Sequence, residues 1–230
     1  MNPLRSRPKL CTAIAAEDTA KMSRKAERAL SLGSDLVEFR LDSLNVVRPE
    51  IVIHSLSKLA DRCVLTLRAR SEGGNFKGSD SSRIRLLLKV SELEPAYTDV
   101  ELETARKFQP EMEQLRANSG KVIISWHDFE STPSASRLLN VFRKARSLGD
   151  IAKEVTTARS VEDNALVLSL YKYSKRGDLI AFCMGDHGVL SRIMCLFAGS
   201  PFTYASLPDE AVAPGQLSIE TMKGILNAIS

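Results

Sequence analysis

The stretch KVIISWHDFESTPSASRLLNVFRKARSLGDIAKEV, residues 121–155, decides the fold of this chain. It begins with a short apolar run, continues with an amphipathic segment at residues 133–147, and ends with a second β-prone run at residues 151–155. A strand, a helix and a second strand in this order form a βαβ unit, in which the two strands are parallel. The stretch therefore predicts a parallel sheet covered by helices.

The same alternation continues along the rest of the chain. The predicted strands are residues 9–15, 36–40, 63–67, 98–102, 121–126, 151–155, 179–184 and 202–205. The predicted helices are residues 17–32, 48–60, 80–93, 104–117, 133–147, 160–175, 187–197 and 216–229. Eight strand and helix pairs predict an α/β fold, the (β/α)8 TIM barrel, as a single catalytic domain over residues 1–230.

Short signals at the ends of the helices agree with this pattern. Thr132-Pro133 is expected to supply the N-cap and first turn of the fifth helix, and Gly33 and Gly149 follow helices as C-terminal stops. Gly199-Ser200 is interpreted as another helix stop and not as a phosphate site. The first strand-to-helix turn, residues 15–19, contains no G-x-G-x-x-G, which argues against a dinucleotide-binding doubly wound sheet.

Composition excludes several classes of protein. The net charge is +4 with acidic and basic residues interleaved, so we expect no nucleic-acid surface and a small anionic substrate. No run is long and apolar enough for a membrane span, and the charged segment Met1–Pro8 leads into no uninterrupted apolar stretch. The four cysteines form no C-x-x-C pair and are expected to be reduced. We therefore expect a soluble, cytoplasmic protein.

Charged residues lie where a barrel would have its active site, at the carboxyl ends of strands. Glu38 and Arg40 share one face of their strand, because side chains alternate with period two, and are expected to form a paired polar floor inside the barrel. Arg68 ends the third predicted strand and could clamp a carboxylate through two hydrogen bonds. Glu72 follows four residues later, in a flexible loop with Gly73-Gly74.

His127 directly follows one predicted strand, and Lys153 lies within the next predicted strand. An imidazole with an ordinary pKa near 6.5 suits general acid and base catalysis at neutral pH. A buried lysine that loses its hydration is a better nucleophile, because burial disfavours the ammonium form, and its amine can form a Schiff base with a ketone. The pair indicates covalent amine chemistry at this end of the barrel.

No metal or cofactor is expected. His54 and His187 look like surface or loop residues, the three histidines lack metal-ligand spacing, and no H-E-x-x-H motif is present. A mechanism based on lysine needs no metal.

In this order along nearly the whole chain, these residues resemble those of type I 3-dehydroquinate dehydratase, an enzyme of the shikimate pathway. The resemblance rests on Glu38-Phe39-Arg40, Arg68 with Glu72-Gly73-Gly74, Ser125-Trp126-His127-Asp128-Phe129, Lys153, Met184-Gly185, Ser191-Arg192 and Ala213-Pro214-Gly215-Gln216. It implies that 3-dehydroquinate loses water to give 3-dehydroshikimate through an imine on Lys153.

The resemblance also implies a role for each remaining residue. His127 would be the general acid and base, and Glu72 would orient it. Arg192 would bind the substrate carboxylate. The hydroxyls and carbonyl region would be held by Glu38, Arg40, Arg68 and Gln216.

Two positions depart from the family pattern. Val212 and Ala13, beside Thr12, stand where many members have a serine near the substrate. A loop around residues 214–216 would close over the site. The resemblance further implies a homodimer, with Leu196 and Phe197 as candidate interface residues.

Two alternatives remain open from the sequence. A class I aldolase or transaldolase also uses a lysine Schiff base, but it would break a carbon–carbon bond, and a phosphorylated ketose would be expected as substrate. A catalytically silent barrel would act as a binding module, and the loss of its lysine or histidine would mark it. Both residues are present in this chain.

Overall fold

A computed structural model describes residues 8–208 and 210–229 of the chain. Eight parallel strands form one sheet in the order β7-β6-β5-β4-β3-β2-β1-β8. The strands are β1 (Leu10–Ile14), β2 (Leu36–Arg40), β3 (Cys63–Thr66), β4 (Tyr97–Glu101), β5 (Lys121–Asp128), β6 (Ile151–Thr157), β7 (Leu179–Met184) and β8 (Thr203–Ala205). Most of the N-terminal segment interpreted above, residues 1–7, lies outside the described residues.

The sheet curves into a nearly closed barrel. Strand β1 pairs with both β2 and β8, so the first and last strands are neighbours. Across the seam between β7 and β8, the ring centroids of Phe182 and Tyr204 are 6.1 Å apart. The predicted (β/α)8 fold is confirmed.

Helices lie between the strands and cover the outside of the barrel. They are α1 (Thr19–Ser31), α2 (Pro49–Leu56), α3 (Asp80–Ser91), α4 (Leu102–Lys107), α5 (Gln109–Asn118), α6 (Ala135–Leu148), α7 (Glu162–Leu168), α8 (Val189–Ala198) and α9 (Ile219–Ile229). Short 3₁₀ turns, Ser57–Arg62 and Ser169–Tyr173, continue α2 and α7. None of the helices in the described part of the chain is both long and apolar enough to cross a membrane.

The single helix predicted over residues 104–117 is wrong. The structure has two helices there, α4 and α5, joined at Phe108, whose φ of −120° and ψ of 52° are not helical. Pro110 lies in the first turn of α5. Proline has no N–H to continue a preceding helix but suits a first turn, so the chain starts a new helix at this point.

The predicted cap of α6 is also wrong, whereas the predicted stops are confirmed. Helix α6 begins at Ala135 after Ser134. The Thr132 hydroxyl instead lies 2.9 Å from the Thr156 hydroxyl, tying the loop to β6. Gly33, with a φ of +103°, follows α1, and Gly149 ends α6.

Alternation along the strands separates two layers. Val37 and Phe39 are buried on the helix-facing side of β2, and Glu38 and Arg40 lie on the other side. The four cysteines, Cys11, Cys63, Cys183 and Cys195, are buried and free. The interior of the barrel therefore holds charged groups, and its apolar core lies beneath the helices.

Glu154 is an ionisable residue within this largely apolar layer. It follows Lys153 on β6 and so points to the opposite side of the sheet. It is fully buried, and neither carboxyl oxygen has a hydrogen-bond partner among the described residues. Burial raises the pKa of Glu154 well above its ordinary value. The folded protein therefore binds a proton here that the unfolded chain releases near pH 4.3, the ordinary value.

Replacing Glu154 with leucine is expected to stabilise the protein at alkaline pH. The stability that proton binding at Glu154 contributes is fully present below the pKa of this glutamate in the unfolded chain. It is lost as the pH rises through the raised pKa of Glu154 in the folded protein. We expect Glu154→Leu to raise the free energy of unfolding by about 1–3 kcal/mol at pH 8, and by less near pH 5. Urea unfolding at both pH values measures this, with the exposed Glu113→Leu as control. A change that is equal at both pH values would rule out the buried acid as its cause.

Candidate active site

The eight residues predicted for the site lie around one pocket at the carboxyl ends of the strands. The pocket encloses about 110 Å³. Its walls include Glu38, Arg40, Arg68, Glu72, His127, Lys153, Arg192 and Gln216. Within residues 8–208 and 210–229, no group of three or more His, Cys, Asp or Glu side chains is arranged to hold a metal ion.

Lys153 projects from β6 into this pocket and is 4% exposed. Its Nζ donates to Asp99 Oδ2 at 3.0 Å and to the Tyr204 hydroxyl at 2.9 Å. Glu38 Oε1 lies 3.7 Å from the same nitrogen. The lysine is therefore buried, as predicted, but it is not an isolated amine, because two carboxylates surround it.

Asp99 is a residue of the site that was not predicted from the sequence. It lies on β4, is 2% exposed, and accepts hydrogen bonds from Arg68 at 3.0 Å and from Ser125 at 2.6 Å in addition to Lys153. Although burial acts to raise it, the charges of Arg68 and Lys153 hold the pKa of Asp99 below its ordinary value. Asp99 is thus a permanent anion beside the amine. Side chains alternate along β4, so Asp99 and Glu101 point to one side of the sheet and Val100 to the other. This pattern could have identified Asp99 from the sequence.

Glu38 and Arg40 both line the pocket, and each is held by a different neighbour. Arg40 Nε and Nη2 donate to the two oxygens of Asp42 at 3.0 and 2.9 Å. Asp42 lies in the turn directly after β2, two residues from Arg40, and its carboxylate accepts both of these hydrogen bonds from the Arg40 guanidinium. Glu38 instead accepts a hydrogen bond of 2.6 Å from Thr66 on β3. The floor of the pocket is therefore charged, with Arg40 bound to Asp42 and Glu38 bound to Thr66.

The guanidinium group of Arg68 is bound by carboxylate side chains of the protein itself. Its guanidinium donates to Asp99 and to Ser125, at 3.0 and 2.6 Å, and lies 3.5 Å from Glu101. Arg68 does bind carboxylates, as its position suggested, but they are side chains of the protein itself on β4. Arg68 fixes Asp99, and through it the position of Lys153.

Arg192 is the pocket cation that lacks a carboxylate partner among the described residues. It is 1% exposed, its guanidinium carbon lies 4.5 Å from the centre of the Phe182 ring, and Nε has no hydrogen-bond partner. Burial lowers the pKa of Arg192 to about 10, so the group is still charged at neutral pH. A buried cation without a counter-ion is costly, and an anionic ligand would remove that cost.

Residues 212–216 form a loop that contacts the chain just after β7, at one side of the pocket. The Pro214 carbonyl accepts from Gly185 N at 3.3 Å. Gly215 has a φ of +69°, and a Cβ there would lie 2.4 Å from the Gly185 carbonyl oxygen. Gln216 donates to the Ala205 carbonyl at 3.1 Å and accepts from Val212 N at 2.9 Å. The Gln216 amide therefore holds the closed loop in place, in addition to lining the pocket.

The two departures from the family pattern leave apolar surface on the pocket wall. Ala13 and Val212 both line it. Thr12, next to Ala13, does not supply the missing hydroxyl, because it faces the opposite side of β1 and lies 2.8 Å from the Ser34 hydroxyl. A polar ligand meets two fewer hydroxyls here than the resemblance implies.

His127 and Glu72 form a close pair at the rim of the pocket. Nδ1 of His127 lies 2.9 Å from Oε2 of Glu72, and the two side chains are 10% and 11% exposed. Burial, followed by the charges of Arg68 and Lys153, lowers the pKa of His127 well below its ordinary value. Burial raises the pKa of Glu72 to about 8. The imidazole is therefore neutral, and Glu72 fixes which ring nitrogen faces the pocket.

This pair is expected to set the pH dependence of catalysis. When it loses a proton, the Glu72 carboxylate accepts from Nδ1–H and the Nε2 lone pair becomes available as a base. We expect kcat/KM to rise with pH through an apparent pKa far above the value of about 4.3 for an ordinary glutamate. Rate measurements between about pH 5 and pH 10 test this.

The variant Glu72→Gln tests whether the His127–Glu72 pair causes the rise of kcat/KM with pH. It cannot lose the proton, so we expect kcat/KM to fall by about 10²-fold and the rise with pH to disappear. The exposed Glu113→Gln serves as the matched control. An unchanged rise in the Glu72→Gln profile would show that another group is responsible.

Comparisons with known proteins bear on the family of this chain. The family model described as type I 3-dehydroquinase matches residues 10–230. The 3-dehydroquinate dehydratase of Methanococcus maripaludis strain C7 is 40% identical over 222 residues, which cover 96% of this chain and 99% of the relative.

Solved structures give the same result. The 3-dehydroquinate dehydratase of Geobacillus kaustophilus HTA426 superposes with a TM-score of 0.89 at 26% identity, covering 97% of this chain and 91% of that one. Type I 3-dehydroquinate dehydratase from Clostridium difficile, solved with covalently modified comenic acid, gives 0.86 at 26% identity and covers 98% and 93%. From its sequence match over residues 10–230, its fold and its relatives, this chain belongs to the type I 3-dehydroquinase family.

Proposed function

We propose that this protein is a 3-dehydroquinate dehydratase, which eliminates water from 3-dehydroquinate to give 3-dehydroshikimate through an imine on Lys153. One observation supports this most strongly. A buried primary amine, a neutral imidazole and a guanidinium without a carboxylate partner among the described residues line a single pocket. The substrate has a ketone for the amine, an acidic carbon for the imidazole and a carboxylate for the guanidinium.

Arg192 binds and orients the substrate. Its charge is buried and lacks a counter-ion among the described residues, so the substrate carboxylate pairs with it with little competition from water. Glu38 and Arg40 provide hydrogen bonds for the hydroxyls, and the 212–216 loop covers the site. This placement brings the ketone to Lys153.

Imine formation conserves charge and protons. The Lys153 ammonium and the ketone give an iminium ion and water, in which two of the three Nζ protons leave with the ketone oxygen and one stays on nitrogen. Asp99, at 3.0 Å from Nζ, stays as the counter-ion of the iminium. The positive nitrogen then acidifies the carbon next to the imine carbon.

His127 carries out the proton transfers of the elimination. Its Nε2 takes a proton from the acidified carbon, and the electron pair moves towards the iminium nitrogen to give an enamine. The enamine then expels the hydroxyl group from the following carbon, which leaves as water with the proton held by His127. Hydrolysis of the resulting conjugated imine releases the enone product and returns Lys153.

A direct activity assay separates this proposal from the aldolase alternative. The enzyme is incubated with 3-dehydroquinate and, separately, with a phosphorylated ketose, and the absorbance of the conjugated enone and the release of aldehyde are followed. We expect enone from the first substrate and no cleavage of the second. Cleavage of the ketose alone would support an aldolase, and no reaction with either would support a silent barrel.

We further propose that the protein is a cytoplasmic homodimer. Four buried, free cysteines support a reducing compartment. Leu196, suggested for the interface from the sequence, is buried at 2% exposure, whereas Leu190 and Met194 on α8 are 50% and 38% exposed and are better candidates. Sedimentation equilibrium should give twice the chain mass, and a monomer mass would contradict the dimer.

A further inference from the structure

The hydroxyl of Tyr204 is the second polar group that contacts the Lys153 amine. It lies 2.9 Å from Nζ, and Nζ lies 4.3 Å from the centre of the same ring. Lys153 is the donor in this contact, so the phenol oxygen accepts and its own proton remains to be donated. The hydrogen bonds of the described residues give that proton no acceptor inside the protein. The free proton points to a ligand atom as its acceptor.

Packing holds the phenol in this position. Tyr204 lies on β8 and is 4% exposed. Its ring meets Phe202 edge to face at 5.6 Å and Phe182 at 6.1 Å between centroids. Burial, followed by the charge of Glu38, raises the pKa of Tyr204 well above its ordinary value, so the hydroxyl keeps its proton over the working range of pH. The amine therefore has one fixed neutral donor beside it.

The chemistry at Lys153 needs such a donor at one particular atom. When the amine attacks the ketone, negative charge develops on the ketone oxygen, which is separated from Nζ by a single carbon. Asp99 also contacts Nζ, but it is held as an anion and can only accept. A group within hydrogen-bond distance of Nζ is also close to this oxygen, and Tyr204 is the contact of Nζ that can donate.

We propose that Tyr204 is a catalytic residue of imine formation and imine hydrolysis, donating a hydrogen bond to the oxygen of the carbinolamine. The inference rests on the proposed Schiff-base function. The Lys153 nitrogen adds to the carbonyl carbon, two of the three protons of its ammonium form pass to the ketone oxygen, and the C–O bond then breaks to release water and leave the iminium ion. The phenol donates to this oxygen throughout and is not consumed.

The variant Tyr204→Phe removes only the hydroxyl and keeps the ring. We expect kcat to fall by about 10–100-fold with KM within about twofold, and the rate of borohydride-trapped adduct formation in a single turnover to fall in parallel. Because imine formation becomes slower than proton abstraction, the deuterium isotope effect of substrate labelled at the acidic carbon should shrink towards one.

A matched substitution controls for the loss of a buried hydroxyl. Tyr171, outside the pocket, accepts from Ala181 N at 2.9 Å, so Tyr171→Phe also removes a bound phenol hydroxyl. We expect it to lower stability without slowing trapping. If Tyr204→Phe does not fold, 3-fluorotyrosine at position 204 keeps the shape while making the phenol more acidic, and the trapping rate should change.

The outcomes distinguish this inference from the proposed function. A wild-type enzyme that traps no substrate would overturn the Schiff-base function itself. Normal trapping by the wild type with an unchanged trapping rate in Tyr204→Phe would overturn only the role of Tyr204. A raised KM with unchanged kcat would also overturn it, because the hydroxyl would then contribute only to binding.

Discussion

Lys153→Met is expected to lower kcat by at least about 10⁴-fold, the largest effect of any substitution in the pocket. Methionine has nearly the length of lysine but no amine, so the covalent path is lost completely. Without the iminium, the carbon that loses the proton is no longer acidified, and His127 faces a much weaker acid. Steady-state assays with 3-dehydroquinate measure the loss.

A structural cause must be separated from the chemical one. Removing the amine leaves Asp99 with Arg68 at 3.0 Å as its remaining charge partner, so the network is weakened but not unpaired. We therefore expect the variant to fold and to bind substrate through Arg192. Near-ultraviolet circular dichroism and substrate binding by calorimetry check both points.

Chemical rescue provides the sharper control. Alkylation of Lys153→Cys with bromoethylamine rebuilds the amine, because aminoethylcysteine is lysine with one methylene replaced by sulfur. The four native cysteines are buried, so the wild type treated in the same way should keep its activity. Partial recovery of turnover is expected, and no recovery after complete alkylation would contradict a role for the amine.

His127→Ala is expected to lower kcat by about 10²–10⁴-fold while leaving the lysine able to form an imine. The substitution removes the base that takes the proton from carbon, but Asp99 and Tyr204 still contact Nζ. Trapping with borohydride should therefore give the substrate imine, which accumulates because its next step is slow. Stopped-flow assays and mass spectrometry measure both effects.

Added imidazole tests the role of the ring directly. The cavity left by alanine opens at the rim of the pocket, so imidazole in solution should restore part of the turnover, with its effect rising as more of it becomes neutral. Turnover close to the wild-type rate without imidazole would exclude His127 as the base.

The barrel could be predicted because its signal is local. Apolar runs and amphipathic segments alternate at a regular spacing, and each strand and helix can be recognised from its own residues. Helix ends were less predictable, since a second helix starts at Gln109, with Pro110 in its first turn, although the pattern of apolar residues continues across both helices. Thr132 looked like a cap, but its hydroxyl bonds to β6, which only tertiary contacts decide.

Most residues of the site could be predicted from the sequence, but the contacts between them could not. Alternation along β2 indicates which side chains enter the pocket, and the same alternation on β4 would have indicated Asp99. The partners of Asp99 lie 31 and 54 residues away along the chain, at Arg68 and Lys153, so nothing local shows that they meet. Tyr204 looks like a core aromatic residue until β8 closes the barrel beside Lys153.

The most direct test of the central proposal is to reduce the enzyme with borohydride during turnover of 3-dehydroquinate and to map the product by mass spectrometry of its peptides. The proposal predicts one covalent adduct per chain, on the peptide that contains Lys153, and none in Lys153→Met. An adduct on another lysine, or full turnover without any adduct, would contradict the imine mechanism.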